Sequence, residues 1–247
     1  MNEDIIYGRN PVIEAFEAGR TIDKVLIQEG VRHSQLGHIR SLAKDKGVLY
    51  QFVDKRKLDK LTDGENHQGV VAYVSAHSYA TVDEILKSAA DAGQPPFLII
   101  ADGITDPHNL GSIIRTANAA GAHGVIIPKN RSVSLNSVVA KVSAGAAEHT
   151  PVARVTNIAQ TIESLKKQGV WIAGTALEAT QLCYDCDLTG PLGIVIGSEG
   201  DGISRIVREH CDYLVKIPMC GKTESLNASV AAGILMFEAV RQRITKK

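Results

Sequence analysis

Short runs that are apolar at every position constrain the fold of this chain most. FLII at 97–100 and GIVI at 193–196 contain no polar residue, as is typical of parallel strands covered on both faces by crossover helices. Further β-branched runs at 124–128, 152–155, 170–174 and 213–218 alternate with helical stretches. The pattern beyond residue 97 therefore predicts a parallel α/β sheet.

The first part of the chain carries a smaller version of the same alternation. KVLI at 24–27, VLYQFV at 48–53 and GVVAYV at 69–74 are typical of strands, and residues 11–18 and 34–46 of helices. A stretch that contains a helical piece at 82–90 and ends in GQPP reads as a linker. We therefore expect a small α/β domain at 1–75, a linker at 76–96 and a larger domain at 97–247.

Charge and composition exclude several classes of protein. The 27 basic residues balance the 27 acidic ones. This excludes the overall positive charge of a protein that coats nucleic acid non-specifically, so any contact with nucleic acid must be local. The start, MNEDIIYGRN, lacks the basic and apolar regions of a signal peptide, and no run of about 18 apolar residues occurs. These features predict a cytoplasmic protein with no membrane partner.

The cysteines offer weak support for a metal site. Cys183 and Cys186 have C-x-x-C spacing, but Cys211 and Cys220 do not form a second such pair. We expect no bound metal, and thiols that serve in packing or lie at the surface.

Three polar, glycine-bearing segments follow predicted strands. They are DGITDPHNLGSIIRTANAAG at 102–121, GIVIGSEGDGIS at 193–204 and the segment that starts with KIPMCGKTESLNAS at 216. Parallel sheets bind ligands beyond the carboxyl ends of their strands, so the segments together predict a binding site beside Arg115 and Glu199. Taken one at a time, the segments also have purely structural interpretations. Asp106 and Asn109 would form a turn and a helix cap, Arg115 would be a surface charge, and Ser225 or Asn227 would cap a helix.

These segments also resemble a known family. D-x-x-x-D-P-x-N-x-G-x-x-x-R-T-A, I-G-x-E-G-x-G-I and I-P-M-x-G-x-x-x-S-L-N-x-S-x-A are similar to the three motifs of the SpoU/TrmH-type (SPOUT) RNA ribose 2′-O-methyltransferases. The resemblance implies a deep trefoil knot in the C-terminal domain, S-adenosylmethionine as cofactor and a homodimer formed through the knotted domains, with the C-terminal apolar helix at 228–240 as a candidate contact. It implies that the cofactor is held by Thr175, Leu177, Gly197, Ile217, Met219 and Leu226.

The same resemblance implies roles in methyl transfer to the ribose 2′-oxygen. Arg115 would orient the hydroxyl and stabilise developing negative charge, because an arginine guanidinium stays protonated and is a poor base at neutral pH. Asn109 and Glu199 would fix Arg115 and the ribose, and Ser225 and Asn227 would hold the phosphate or the region of the 2′-oxygen by hydrogen bonds.

The N-terminal domain bears on the substrate. IIYGRNPVIEAF at 5–16 and DGENHQGVVAYV at 63–74 look like the ribosomal-protein-like RNA-binding domain of bacterial 23S rRNA guanosine-2′-O-methyltransferases. This implies 23S rRNA, or an assembling large ribosomal subunit, as partner. Adenosine in rRNA, guanosine in tRNA and a non-catalytic role in ribosome assembly remain alternatives.

Basic side chains of the N-terminal domain are the candidates for binding RNA. KRKLDK at 55–60, Arg9, Lys24 and Arg32 would contact phosphates. Because aromatic residues make up only 4% of the chain, we expect recognition through phosphates, shape and one or two flipped bases rather than through a stacking platform.

Overall fold

The computed structural model describes residues 4–31 and 34–245, so Arg32 lies outside the described residues. The chain divides into two compact units. The first runs to Ser78 and includes Ser134–Ser137, and the second comprises Tyr79–Val133 and the chain from Val138 onward. The prediction of α/β structure, made from the alternation of strands and helices in the sequence, is confirmed in both units.

The first unit contains a four-stranded mixed sheet. Its strands are β1 (Ile5–Tyr7), β2 (Ile22–Gln28), β3 (Leu49–Val53) and β4 (Val70–Val74), and its helices are α1 (Arg9–Glu17), α2 (Ser34–Asp45) and α3 (Lys55–Leu61). The strand order is β1-β4-β2-β3, with β2 and β3 parallel and both other pairs antiparallel.

Alternation along β2 divides the core of this unit between the two faces of the sheet. Val25 and Ile27 pack with residues of α1 and α2, and Leu26 between them packs with Val53 and with Leu58 of α3. The short strand β1 gives no periodic signal in the sequence, because three residues are too few to show alternation.

The second unit contains a seven-stranded sheet in which every pair of neighbours is parallel, as predicted. The strands, in chain order, are β5 (Phe97–Asp102), β6 (Gly124–Pro128), β7 (Val152–Val155), β8 (Trp171–Thr175), β9 (Gln181–Leu182), β10 (Leu192–Gly197) and β11 (Tyr213–Lys216). They are arranged as β7-β6-β5-β10-β8-β11-β9.

Helices cover this sheet. They are α4 (Val82–Asp91), α5 (Pro107–Ala119), α6 (Ser137–Val142), α7 (Ile158–Lys167), α8 (Arg205–His210) and α9 (Ala228–Thr245). Side chains of α4, α7 and α8 share one buried cluster with Leu98 and Val195 of the sheet, while α5 packs against α9, which contacts β10. Helix α4 lies within the segment 76–96 that reads as a linker, and its Ile85 is fully buried in that cluster.

The sheet order places the predicted loops side by side. Strands β5, β10, β8 and β11 are consecutive neighbours, so the segments that follow Asp102, Gly197, Thr175 and Lys216 all leave one edge of the sheet. Polar residues from four distant parts of the sequence can therefore meet there. Within residues 4–31 and 34–245, no helix is both long and apolar enough to cross a membrane.

Candidate active site

A cleft opens at the carboxyl ends of β8, β10 and β11 and reaches the start of α9. Eight residues singled out from the sequence line it: Thr175, Leu177, Gly197, Glu199, Ile217, Met219, Ser225 and Leu226. All six residues that the resemblance assigns to the cofactor are therefore in one cleft. Asn109, Arg115 and Asn227 are not among its lining residues.

Gly197 allows a tight turn that forms one wall of the cleft. The backbone N–H of Ser198 donates to the carbonyl oxygen of Gly202 over 3.0 Å, and the reverse hydrogen bond is also 3.0 Å. Gly202 has a φ of +66°, a conformation that L side chains rarely adopt. A Cβ atom on Gly197 would overlap the backbone of Gly202 and Ile203, so this turn can fold back only on glycine.

Three polar side chains from the three sequence motifs meet beside the cleft. Asn109, which is 8% exposed, donates from Nδ2 to Oε1 of Glu199 over 2.8 Å. Asn227 donates from Nδ2 to Oδ1 of Asn109 over 2.9 Å and also to Oε1 of Glu199. The carboxylate thus accepts two amide donors at one oxygen, and charge-assisted bonds of this kind are among the stronger ones in proteins.

Asn227 also caps α9. Its Oδ1 accepts from the backbone N–H groups of Ser229 at 3.0 Å and Val230 at 3.3 Å, and from the hydroxyl of Ser229 at 2.6 Å. The predicted helix cap at Asn227 is therefore present, and the other end of the same amide remains available to bond Asn109 and Glu199.

Helix α5 has the predicted turn and cap at its start. Asp106 accepts from the backbone N–H of His108 over 2.8 Å, and Pro107 occupies the first turn. Asn109 is not part of this cap, since its side chain is bonded to Glu199 and Asn227.

Arg115 lies on an exposed position of α5. Its side chain forms no hydrogen bond or ion pair with any residue that the structure describes, so Asn109 and Glu199 do not hold it within the chain. Ser225 is exposed at the cleft.

Two further contacts are not predicted by the sequence motifs. An ion pair joins Arg208 to Glu178, and both residues line the cleft. Asp102 accepts from the backbone N–H of Ser204 over 2.7 Å, which ties the end of β5 to the start of α8. Asp102 opens the first motif, but only the tertiary structure reveals its partner.

None of the four cysteines lines this cleft. Cys183 and Cys186 are buried, and desolvation raises the pKa of Cys183 and raises that of Cys186 to about 11. Burial similarly raises the pKa of Cys211 to about 12. These thiols therefore stay protonated near neutral pH and are poor nucleophiles and ligands. In the part of the chain that is described, no three or more His, Cys, Asp or Glu side chains cluster as they would around a metal ion.

Comparison with known proteins agrees with the motifs. The model of the SpoU rRNA methylase family matches residues 96–237, and the model of the RNA 2′-O ribose methyltransferase substrate-binding domain matches residues 5–80. YacO of Bacillus subtilis, a protein assigned to the TrmH family of tRNA/rRNA methyltransferases, is 49% identical over 243 residues, which cover 98% of this chain and 97% of YacO.

Solved structures show the same similarity. The SpoU methyltransferase AviRb of Streptomyces viridochromogenes, in complex with S-adenosylmethionine, matches with a TM-score of 0.62 and 28% identity over 98% of this chain and 90% of AviRb. An S-adenosylmethionine-bound rRNA methyltransferase of Sinorhizobium meliloti matches with a TM-score of 0.60 and 26% identity over 96% of this chain and 86% of that protein. The chain therefore belongs to the SpoU/TrmH family of RNA ribose 2′-O-methyltransferases, whose methyl donor is S-adenosylmethionine.

Proposed function

We propose that this protein methylates the ribose 2′-hydroxyl of a guanosine in 23S rRNA, free or within an assembling large ribosomal subunit in the cytoplasm. The observation that carries the proposal is the meeting of Asn109, Glu199 and Asn227 beside a cleft that contains every expected cofactor residue. Similarity of residues 5–80 to a ribose methyltransferase substrate-binding domain, and of nearly the whole chain to an rRNA methyltransferase, supports rRNA as substrate.

The cleft suits S-adenosylmethionine, which, when bound, supplies an electrophilic methyl group. Leu177 is 61% exposed although it lines the cleft, so an apolar part of a ligand would cover a side chain that the protein leaves open. Ile217, Met219 and Leu226 add apolar surface, and the turn after Gly197 brings backbone groups to the wall. We assign Thr175 to the same binding site.

Glu199 can hold the substrate ribose. Its Oε1 accepts from Asn109 and Asn227, whereas its Oε2 accepts no hydrogen bond from the described residues. The two amides fix the orientation of the carboxylate and leave Oε2 available to accept from a ribose hydroxyl. Ser225, exposed at the cleft, would donate to the phosphate or to the region of the 2′-oxygen.

Arg115 would orient the 2′-hydroxyl and stabilise the negative charge that develops on its oxygen. Because no residue of the described ranges 4–31 and 34–245 binds its side chain, all its guanidinium donors are available for RNA. The proton of the hydroxyl must go to another acceptor, because a protonated guanidinium cannot take it.

We also propose that two copies associate through α9. Val230, Phe237 and Ile244 are seven residues apart, so they share one helix face, and they are 50%, 49% and 67% exposed. Three large apolar side chains in one exposed stripe favour burial against a second copy. Sedimentation should show a dimer for the wild type and a monomer for Phe237→Asp.

The proposal includes a division into an RNA-binding domain at 1–75 and a transferase domain at 97–247, joined by residues 76–96. It also includes the trefoil knot of the family. Stretching single molecules from their two ends tests the knot, because a knotted chain stays shorter than its fully extended length. An end-to-end length equal to that of the extended chain would contradict it.

Transfer of labelled methyl groups from S-adenosylmethionine to unmodified 23S rRNA, and separately to unmodified tRNA, tests the reaction. We expect one 2′-O-methylated guanosine in 23S rRNA. Labelling of an rRNA adenosine or of tRNA would replace the proposed substrate but leave the chemistry intact. No transfer to either RNA or to ribosomal particles would favour a non-catalytic role in assembly.

A further inference from the structure

An edge strand of the first unit exposes two aromatic rings. Among the described strands, β3 pairs with β2 alone and ends the sheet. Tyr50 and Phe52 on this strand are 40% and 46% exposed, and their ring centroids lie 6.0 Å apart with the planes at 87°. The hydroxyl of Tyr50 has no hydrogen-bond partner among residues 4–31 and 34–245. The two rings therefore form one open aromatic surface, named here the 50/52 pair.

The position of the 50/52 pair in the sheet explains why it is open. In the parallel register Tyr50 lies beside Val25 and Phe52 beside Ile27, and both of these β2 residues are almost fully buried. The apolar face of the sheet thus continues onto the edge strand but is no longer covered there. Aromatic rings bury large apolar areas when they find a partner, which makes such an uncovered edge a candidate contact surface.

Unpaired cations follow the aromatic rings directly in the chain. Helix α3 begins three residues after Phe52, a separation of at most about 10 Å along an extended backbone. Four side chains of this helix are exposed and, within the described chain, form neither a hydrogen bond nor an ion pair: Lys55, Arg56, Lys57 and Lys60.

The neighbouring carboxylates are engaged elsewhere. Asp54 accepts from the backbone N–H of Lys57 over 3.0 Å as the cap of α3, and Asp59 bonds Nε2 of His67 over 2.9 Å. Residues 44–60 hold six basic and three acidic side chains, although the whole chain is neutral. This local positive surplus favours a polyanion over an apolar protein surface as the partner of the edge.

We propose that the 50/52 pair stacks an unpaired base of the RNA, while the cations of α3, which packs on the other face of the sheet, bind phosphates where the RNA passes around the edge at β3. The proposal rests on the proposed RNA substrate and adds a base-stacking contact to the phosphate and shape recognition expected from the sequence. Exposed aromatic rings beside cations are the combination that binds single-stranded RNA without needing a particular sequence.

The experiment measures binding of the full-length protein to two fluorescent probes, a short single-stranded RNA and an RNA duplex of equal length. In the double variant Tyr50→Leu/Phe52→Leu, we expect the Kd for the single strand to rise at least about fivefold. The salt dependence of binding should stay unchanged because no charge is lost. The duplex should be affected less, since its bases are already stacked on each other.

Two further variants separate stacking from charge. Lys55→Gln/Lys57→Gln should reduce the magnitude of the negative slope of log K against log salt by about 1.4, because each lost phosphate contact on a single strand removes about 0.7. Trp171→Leu is the matched control, since it removes an aromatic side chain that is 60% exposed on the second unit, and it should bind both RNAs like the wild type. Unchanged melting temperatures would show that the leucine variants are folded.

If Tyr50→Leu/Phe52→Leu binds the single strand as tightly as the wild type, the inference is wrong. A protein surface then becomes the expected partner of this edge. That result together with methyl transfer to 23S rRNA by the wild type would overturn only the stacking contact. Loss of single-strand binding in the variant, with no methyl transfer by the wild type, would support the stacking contact and overturn the proposed reaction.

Discussion

Replacing Asn227 by serine should separate the two functions of its side chain. Oδ1 caps α9, while Nδ2 donates to Glu199 and to Asn109. A serine hydroxyl can still accept from the first backbone N–H groups of the helix, but it is too short to reach the carboxylate. Alanine at the same position removes both the cap and the donor.

The expected losses follow from these contacts. A hydrogen bond to a charged group contributes about 1.5–3 kcal/mol and a neutral one about 1 kcal/mol. Because Asn227 is itself exposed, water recovers part of that energy, and we expect Asn227→Ser to lower the free energy of unfolding by about 2 kcal/mol. Asn227→Ala should cost about 1 kcal/mol more, the usual contribution of an N-cap.

Urea denaturation followed by the fluorescence of Trp171 measures these changes. Trp171 is the single tryptophan of the chain and belongs to the second unit, so its signal reports the unit that holds the site. Asn157 is the matched control. Its side chain caps α7 by accepting from the N–H of Gln160 over 3.2 Å, and that side chain has no second partner among the described residues. Asn157→Ser should therefore be nearly neutral.

A double-mutant cycle with Asn109→Ala tests whether the three side chains act as one network. Each single variant breaks the shared 2.9 Å bond, so the double variant should lose about 1–2 kcal/mol less than the sum of the singles. Methyl transfer should fall at least about a hundredfold in both singles. Losses that add to within about 0.5 kcal/mol, or an Asn227→Ser variant as stable as the wild type, would refute the reasoning.

Other variants test the site independently. Arg115→Lys and Arg115→Ala should both lose turnover but keep cofactor binding. Their free energy of unfolding should stay within about 0.5 kcal/mol of the wild type, because the side chain has no partner in the described chain. Wild-type turnover in Arg115→Lys would contradict the assignment. Gly197→Ala should lose S-adenosylmethionine binding in calorimetry, because its Cβ overlaps the backbone of Gly202 and Ile203. Gly190→Ala, which lies outside the cleft and has nothing within 4 Å of its Cβ, should bind like the wild type. Iodoacetamide near pH 7.5 should label exposed Cys220 before Cys186, because burial raises the pKa of Cys186 to about 11. Mass spectrometry measures the order of labelling, and earlier labelling of Cys186 would contradict this prediction.

Local sequence patterns were sufficient for much of the fold. The limits of β6 and β10 agree with apolar runs in the sequence, because strands buried on both faces exclude polar residues along their whole length. Strands β1 and β9, with three and two residues, could not be predicted in this way. Their existence depends on a neighbouring strand that offers hydrogen bonds, which a short window of sequence does not contain.

The motifs predicted which residues to expect in the candidate site, but not how these residues are connected. Asn227 suits a helix cap and a hydrogen-bond donor equally well from its place before α9. Only the fold decides that it does both, by bringing Asn109 to it from 118 positions away and Glu199 from 28. The ion pair between Arg208 and Glu178 belongs to no motif and is visible only when α8 packs beside the loop after β8.

The sequence by itself determined the parallel sheet, the edge at which the site lies and the family to which the chain belongs, because these depend on residue types at short spacings. The tertiary structure decided which oxygen of Glu199 is occupied, that Arg115 has no partner among the described residues and that Tyr50 and Phe52 remain exposed. Hydrogen bonds and burial join residues far apart in the chain, and their geometry is fixed only once the whole core has packed.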